Sequence, residues 1–288
     1  MLNPNEWFTE IDEDNHSAFS FKIERKLHEE QTPFQKIEIY RTAGFGNLMV
    51  IDGFVMLSAR DNFLYHEMMT HPVLYSHPSP SRVWIIGGGD CGSLQEVLKH
   101  PEVEEAVQIE IDERVTRLAE RFFPELCRAN DDPRAQLKFE DGIEWVERSP
   151  PGSVEVIIVD STDPLGPGEG LFTEDFYRDC LRCLSGDGLL IQQSESPLFH
   201  PHILHPMRKA MKSAGFKEVS TLFFPQPVYP SGWWSGTVAA KSGIGHPREQ
   251  DIANKPFSTR YYNLAIHKAA FAAPDFFLQA VEEQEATG

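Results

Sequence analysis

The stretch Val83-Trp84-Ile85-Ile86-Gly87-Gly88-Gly89-Asp90-Cys91-Gly92-Ser93-Leu94 constrains the chain more than any other. A short apolar run closes on three glycines, and Leu94, Val97 and Leu98 then recur at helical spacing. That pattern reads as a buried strand, a tight turn and the first turns of a helix, the opening of a nucleotide-binding βαβ unit. Gly87, Gly89 and Gly92 also satisfy G-x-G-x-x-G, which on a dinucleotide fold brings backbone N–H groups to a pyrophosphate. Asp90 argues against that use, because a carboxylate in a phosphate-cradling turn would oppose the anion that a helix N-terminus attracts. Glycines together with an acid favour a cationic nucleoside, a sulfonium or an amine.

From Val83 onward strands and helices alternate. Strands are expected at Val83–Gly87, Ala106–Ile111, Gln136–Phe139, Val154–Asp160, Gly188–Gln193, Val219–Phe224 and Trp234–Ala240. Helices are expected at Leu94–Lys99, Arg114–Phe122, Gly142–Glu147, Glu174–Leu184 and Ile203–Ala214. This is the pattern of a doubly wound α/β domain, whose ligands bind beyond the carboxyl ends of the strands. Acids gather there: Asp90, Glu110, Asp112, Asp141, Asp160 and Glu195. Glu110, about 20 residues after the glycines, stands where such folds place an acceptor of ribose hydroxyl hydrogen bonds, with Asp112 as its rival. Asp141-Gly142 suits either the adenine amino group or a helix N-cap. Asp160-Ser-Thr-Asp163 followed by a proline- and glycine-rich loop suggests charge-selective chemistry beneath a lid.

Residues 1–75 differ. Short β-like runs at Ala18 to Glu30, Phe34 to Arg41, Asn47 to Ile51 and Phe54 to Ser58 predict a small antiparallel unit. Asp61 is expected to cap a linking helix that ends near His71-Pro72, and Pro78-Ser79-Pro80 marks the boundary with residues 76–288. His66-Glu67-Met68-Met69-Thr70-His71 resembles a zinc motif only superficially, since histidines five apart fall on different faces of a helix.

With 288 residues and 41% hydrophobic content the chain can bury a sizeable core. A net charge of −18 disfavours nucleic acid and anionic membranes and favours cationic small molecules. Four cysteines are too few for a disulfide framework, and Cys180 and Cys183 sit in a helical pattern. Met1 to Glu6 carry no basic region or apolar core, so cytoplasmic residence is the expectation.

Taken together, Gly87-Gly88-Gly89-Asp90, Ile109-Glu110-Ile111-Asp112, Asp141-Gly142, Asp160-Ser-Thr-Asp163-Pro-Leu-Gly-Pro167, Tyr229-Pro-Ser-Gly232 and Tyr261-Tyr262-Asn263 resemble the spermidine synthase family of aminopropyltransferases, bacterial type. Gln35 and Tyr65-His66-Glu67 extend the resemblance over nearly the whole chain. It implies a methyltransferase-like (Rossmann-type) domain preceded by an N-terminal β-domain. The implied reaction transfers an aminopropyl group from decarboxylated S-adenosylmethionine to putrescine, giving spermidine and methylthioadenosine, without metal or redox cofactor. By the same resemblance Gln35, Glu110, Asp141, Gly142 and Pro167 hold the nucleoside, His66, Asp90, Asp163 and Tyr229 line the amine side, Asp160 accepts the proton, and the assembly is a homodimer or larger. Tyr65 and Tyr229 are expected to orient the attacking nitrogen, and Glu195, Trp233 and Trp234 to face the far ammonium. Two departures stand out: Cys91 where relatives have glycine, and Trp233-Trp234 after Gly232, which leaves acceptor length open. A putrescine N-methyltransferase, a transferase using another polyamine, a nicotinamide-dependent dehydrogenase and a non-catalytic polyamine or nucleoside sensor are the other readings.

Overall fold

The computed structural model describes residues 2–287 apart from residue 165; the side chains of 167 and 284–287 lie outside the description. The N-terminal segment folds as an antiparallel meander of five strands in sequential order: β1 (Trp7–Asp12), β2 (Ser17–Gln31), β3 (Lys36–Thr42), β4 (Gly46–Ile51) and β5 (Phe54–Ser58). The sequence reading began this sheet at β2. β1 was missed because its alternation is inverted: Ile11 points outward at 59% exposure while Glu10 is buried.

Helix α1 (Asn62–Ser76) follows, and it corrects two expectations. It runs through Pro72 to Ser76, where the Ser76 hydroxyl donates back to the Pro72 carbonyl at 2.8 Å. Almost every residue of α1 is buried, so tertiary packing overrides the local penalty of the proline. Asp61 stands at the N-cap position without capping it; its carboxylate instead accepts the Ser58 hydroxyl at 2.5 Å.

The second unit is built from β6 (Arg82–Gly87), α2 (Gly92–Leu98), β7 (Glu105–Glu110), α3 (Glu113–Phe122), β8 (Ala135–Phe139), α4 (Gly142–Arg148), β9 (Val154–Asp160), α5 (Glu174–Cys183), β10 (Leu184–Gln193), α6 (Pro201–Ala214), β11 (Glu218–Pro225) and β12 (Trp233–Ala240). The seven strands lie in the order β11-β12-β10-β9-β6-β7-β8. β6 to β10 pair in parallel, and β12 runs antiparallel between β10 and β11. This is a methyltransferase-like sheet, and its order reverses between β6 and β9, where Gly87 pairs with Asp160. β10 starts at Leu184, four residues before the expected start, directly after α5. Cys180 and Cys183 are buried in the core on α5, with the Cys183 thiol donating to the Val146 carbonyl at 3.3 Å.

Three short helices complete the chain: α7 (Glu249–Ala253), α8 (Leu264–Ala270) and α9 (Asp275–Thr287). The Tyr261-Tyr262-Asn263 segment docks on α1, where the buried Glu67 carboxylate accepts the backbone N–H groups of Arg260, Tyr261 and Tyr262 at 2.7–2.8 Å. One core cluster runs through both sheets, from Phe21 and Tyr40 through Tyr65 and Met68 to Val83, Ile158 and Trp234. Among the described residues no helix is long and apolar enough to cross a membrane.

Candidate active site

Beyond the carboxyl ends of β6, β7 and β9 lies a cleft of about 940 Å³. Of the residues expected to act, Gln35, Tyr65, Asp90, Glu110, Asp141, Gly142, Asp160 and Tyr229 line it. Gln35 and Tyr65 arrive from the N-terminal sheet and α1, so the cleft forms only when the two units pack together. Pro167, by its side chain, lies outside the described residues.

The glycine turn holds no pyrophosphate cradle. A side chain at Gly89 would sit 2.7 Å from Glu110 Oε2 and 2.8 Å from Val115 Cγ1, and one at Gly92 would sit 2.2–2.5 Å from the His66 ring. Two of the motif's glycines therefore make room for other side chains of the site. Cys91 between them is fully buried at a φ of +67°, which costs a non-glycine residue about 1–3 kcal/mol. Its thiol accepts from Gln108 Nε2 at 3.6 Å.

On the nucleoside half, Glu110 and Asp112 separate clearly. Asp112 is spent on structure: Oδ1 accepts the Arg114 N–H at 3.0 Å as the N-cap of α3, and Oδ2 accepts from Thr32 Oγ1 at 2.7 Å and Gln35 Nε2 at 3.1 Å. Glu110 faces the cleft with Oε1 accepting the Asp112 N–H at 2.9 Å. Burial, then the neighbouring Asp112 and Asp160 charges, push Glu110 up to about 7. Asp141 caps α4 through the Ile143 N–H at 2.7 Å, and the same residue lines the cleft.

Asp160 stands at the centre. Its Oδ1 accepts from Tyr65 Oη at 2.7 Å and its Oδ2 from Ser93 Oγ at 2.6 Å. Burial and the nearby Asp90 charge raise its pKa, and His66, Ser93 and Tyr65 oppose that rise. His66 does not line the cleft. It stands behind Asp90 with Nε2 3.0 Å from Asp90 Oδ2, while Asp90 Oδ1 accepts the Gly92 N–H at 2.7 Å. Burial alone would lower His66, but the Asp90 carboxylate outweighs it and lifts the imidazole to about 9. His71 faces Glu96 and His100 instead, at 3.0 and 2.9 Å, so the two histidines of the apparent zinc motif serve different sites.

A second cavity of about 540 Å³ opens on the far side of Tyr65 and Tyr229, residues that line both spaces. Asp163, Glu10, Asp12, His200 and Trp234 are on its wall. Glu195, fully buried, stands beside Asp163, and its Oε2 has no hydrogen-bond partner among the described residues. Burial, then Glu195, push Asp163 well above the usual carboxylate range, and burial raises Glu195. Glu10 accepts the Val55 N–H at 2.8 Å, and burial lifts it to about 7. Trp234 packs 4.6 Å from the Tyr229 ring, whereas Trp233 turns away against Phe223 and Phe276. Glu10, Asp12 and His200 are not legible from the sequence as wall residues of this cavity, because they come from β1 and from the loop before α6 rather than from the carboxyl ends of the parallel strands.

A model described as "Spermine/spermidine synthase domain" matches residues 62–247, and one described as "Spermidine synthase tetramerisation domain" matches residues 6–59. The chain belongs to the spermine/spermidine synthase family. It is 66% identical over 283 residues to the polyamine aminopropyltransferase of Methylococcus capsulatus, covering 98% of this chain and 99% of that protein. Identity to the polyamine aminopropyltransferase of Thioalkalivibrio sulfidiphilus is 62% over 279 residues, 96% of this chain and 98% of the relative. Among solved structures, a spermidine synthase in complex with the transition state analogue AdoDATO superposes with a TM-score of 0.93 at 33% identity, over 98% of this chain and 97% of that one. The spermidine synthase from Thermotoga maritima superposes with a TM-score of 0.91 at 32% identity, over 98% and 96%. As a member of this family the chain is a transferase of the aminopropyltransferase type.

Proposed function

We propose that the chain transfers the aminopropyl group of decarboxylated S-adenosylmethionine to putrescine, with Asp160 as the proton acceptor. The observation that carries this reading is the bipartite site: a cleft with Glu110, Asp141 and Asp160 on its wall and a cavity rimmed by acids meet at Tyr65 and Tyr229, and Tyr65 donates to Asp160. In this reading the nucleoside occupies the first space with its ribose hydroxyls on Glu110, Asp90 takes the donor's ammonium, and the diamine threads past Tyr65 and Tyr229.

A primary amine is mostly protonated at neutral pH, and freeing its lone pair costs about 4–5 kcal/mol. Asp160 lowers that barrier by taking the proton as attack proceeds, its raised pKa making it a stronger base than an exposed aspartate. The nitrogen lone pair forms a bond to the propyl carbon beside sulfur, the C–S bond breaks with its pair going to sulfur, and the sulfonium leaves as a neutral thioether. Tyr65, held by Asp160, and Tyr229, whose hydroxyl donates to the Met56 carbonyl at 2.5 Å, retain hydroxyl lone pairs to accept from the nitrogen and fix its line of approach. The far ammonium meets Glu10 and Asp163, with the buried Glu195 carboxylate beside Asp163. We further infer a homo-oligomer, with residues 1–75 as the assembling unit and 76–288 as the catalytic one; the tetramerisation-domain match supports it. Incubation with decarboxylated S-adenosylmethionine and a panel of diamines, read by mass spectrometry, tests the reading: spermidine and methylthioadenosine should appear in equal amounts, and a methylated diamine in their place would overturn it.

A further inference from the structure

The far wall of the acid-rimmed cavity is closed by a histidine that the reaction itself does not need. His200, in the loop between β10 and α6, lies with Nε2 3.4 Å from Asp12 Oδ2 and Nδ1 3.3 Å from Glu195 Oε2. One of these acids belongs to the N-terminal sheet and the other to the loop after β10, so the ring bridges the two units at the bottom of the cavity. Its position is braced on both sides. Asn15 donates to Asp12 Oδ2 at 2.9 Å and to the Phe199 carbonyl at 3.2 Å, tying the β1–β2 turn to the residue before His200. On the other side the ring meets Trp234 edge-on at 6.1 Å between centroids.

We propose that His200 sets the length limit of the amine acceptor, admitting a diamine and excluding a triamine. The inference rests on the acceptor orientation given above. A diamine bound with one nitrogen at Asp160 brings its other nitrogen to Glu10 and Asp163. A triamine entering the same way carries a third cationic nitrogen and more methylenes beyond that point, where it meets the His200 ring. The ring fills the space, and it already engages Asp12 and Glu195, the two carboxylates that a further ammonium would need. A cation placed there would run into the imidazole ring that stands between it and Asp12, an exclusion that works by blocking the wrong ligand rather than by tightening on the right one. The consequence for the reaction is that its own product, a triamine in the proposed reading, is a poor acceptor, so transfer stops after one round.

The test compares kcat/KM for putrescine and for spermidine on the same preparations, with decarboxylated S-adenosylmethionine as donor. His200→Ala removes the ring and frees both carboxylates, and the spermidine-to-putrescine ratio should rise at least tenfold over wild type, with spermine appearing as product. His200→Phe refills the space and should keep the ratio within about threefold of wild type. A ratio cancels any loss of folded enzyme; should His200→Ala give no active protein, His200→Asn is read in the same way and should raise the ratio. An unchanged ratio in His200→Ala, or an equal rise in His200→Phe, overturns the assignment. A wild-type enzyme that uses no diamine would instead overturn the acceptor reading beneath it.

Discussion

His66 Nε2 lies 3.0 Å from Asp90 Oδ2, and the same ring packs so closely on Gly92 that a β-carbon there would fall 2.2–2.5 Å from its atoms. The glycine, the histidine and the acid therefore hold one another in place: Gly92 leaves room for the ring, the ring holds one oxygen of Asp90, and the Gly92 N–H holds the other. Gly92→Ala should push His66 off Asp90, cost about 1–3 kcal/mol by overpacking and lower kcat/KM for the donor. Urea unfolding and steady-state kinetics on the same variant check both parts.

Asp160→Asn keeps the shape of the carboxylate and its place between Tyr65 and Ser93 but cannot take a proton at neutral pH. Turnover should fall by roughly 10²–10⁴, the loss expected for a positioned general base. Methylthioadenosine binding, followed by calorimetry, should stay near wild type. A variant with near-normal kcat would remove Asp160 from the proposed role.

Glu110 and Asp112 make a paired test, since only one of them faces the cleft. Glu110→Gln replaces a charged acceptor of ribose hydrogen bonds and should weaken methylthioadenosine binding by about 1.5–3 kcal/mol. Asp112→Asn should instead loosen the α3 cap and the tie to Thr32 and Gln35, costing about 1 kcal/mol of stability, with a smaller effect on nucleoside affinity. The reverse pattern would exchange the two roles.

In the proposed reading the acceptor enters the cavity walled by Glu10, Asp12, Asp163 and His200, with the buried Glu195 beside Asp163 and His200. Burial pushes Glu10 up to about 7 and holds Asp163 and Glu195 above the usual carboxylate range, so some of these groups carry protons near neutrality. A diammonium acceptor binds best when they are ionised. With folded-state pKa values raised, the anionic form is lost as pH falls, so acceptor KM should rise as pH drops from about 8 to 6, while the amine stays protonated throughout. Glu10→Gln should flatten that rise. Calorimetry in two buffers of different ionisation enthalpy should detect protons released on acceptor binding below pH 7.

How much of this was legible in the sequence follows from where each residue sits. β6, β7 and β9 are buried on both faces, so they read as continuous apolar runs, and the acids that end them were found at once: Asp90, Glu110 and Asp160 all line the cleft. α1 escaped full reading because it is buried all round and so carries little periodicity, which made Pro72 look like a terminus. The floor of the acceptor cavity was illegible for a different reason. Glu10, Asp12 and His200 are far apart in the chain, and only the packing of the β1–β2 hairpin on the loop before α6 brings them together. β1 is hidden because a buried glutamate beside an exposed isoleucine breaks the pattern by which strands are recognised.

Asp90 lines the cleft from within the glycine turn, and in the proposed reading donor choice turns on it. Intact S-adenosylmethionine carries an α-carboxylate beside its terminal amine, and the decarboxylated donor presents only the ammonium. A carboxylate brought to ~4 Å from Asp90 at an effective dielectric near ~20 is repelled by roughly 4 kcal/mol, about a thousandfold in affinity. His66 moderates this figure, because its imidazole, lifted to about 9, is cationic at neutral pH and sits directly behind Asp90. Asp90→Asn removes the repelling charge and, with it, the carboxylate that holds the buried His66 imidazole cationic. The decarboxylated form should then bind more weakly and the intact form more tightly, narrowing the gap from both sides. The measurement is competition between the two donors in methylthioadenosine displacement, for wild type and Asp90→Asn. If Asp90→Asn leaves the preference unchanged, another residue excludes the carboxylate, and if wild type methylates putrescine efficiently from intact S-adenosylmethionine, the donor reading itself fails.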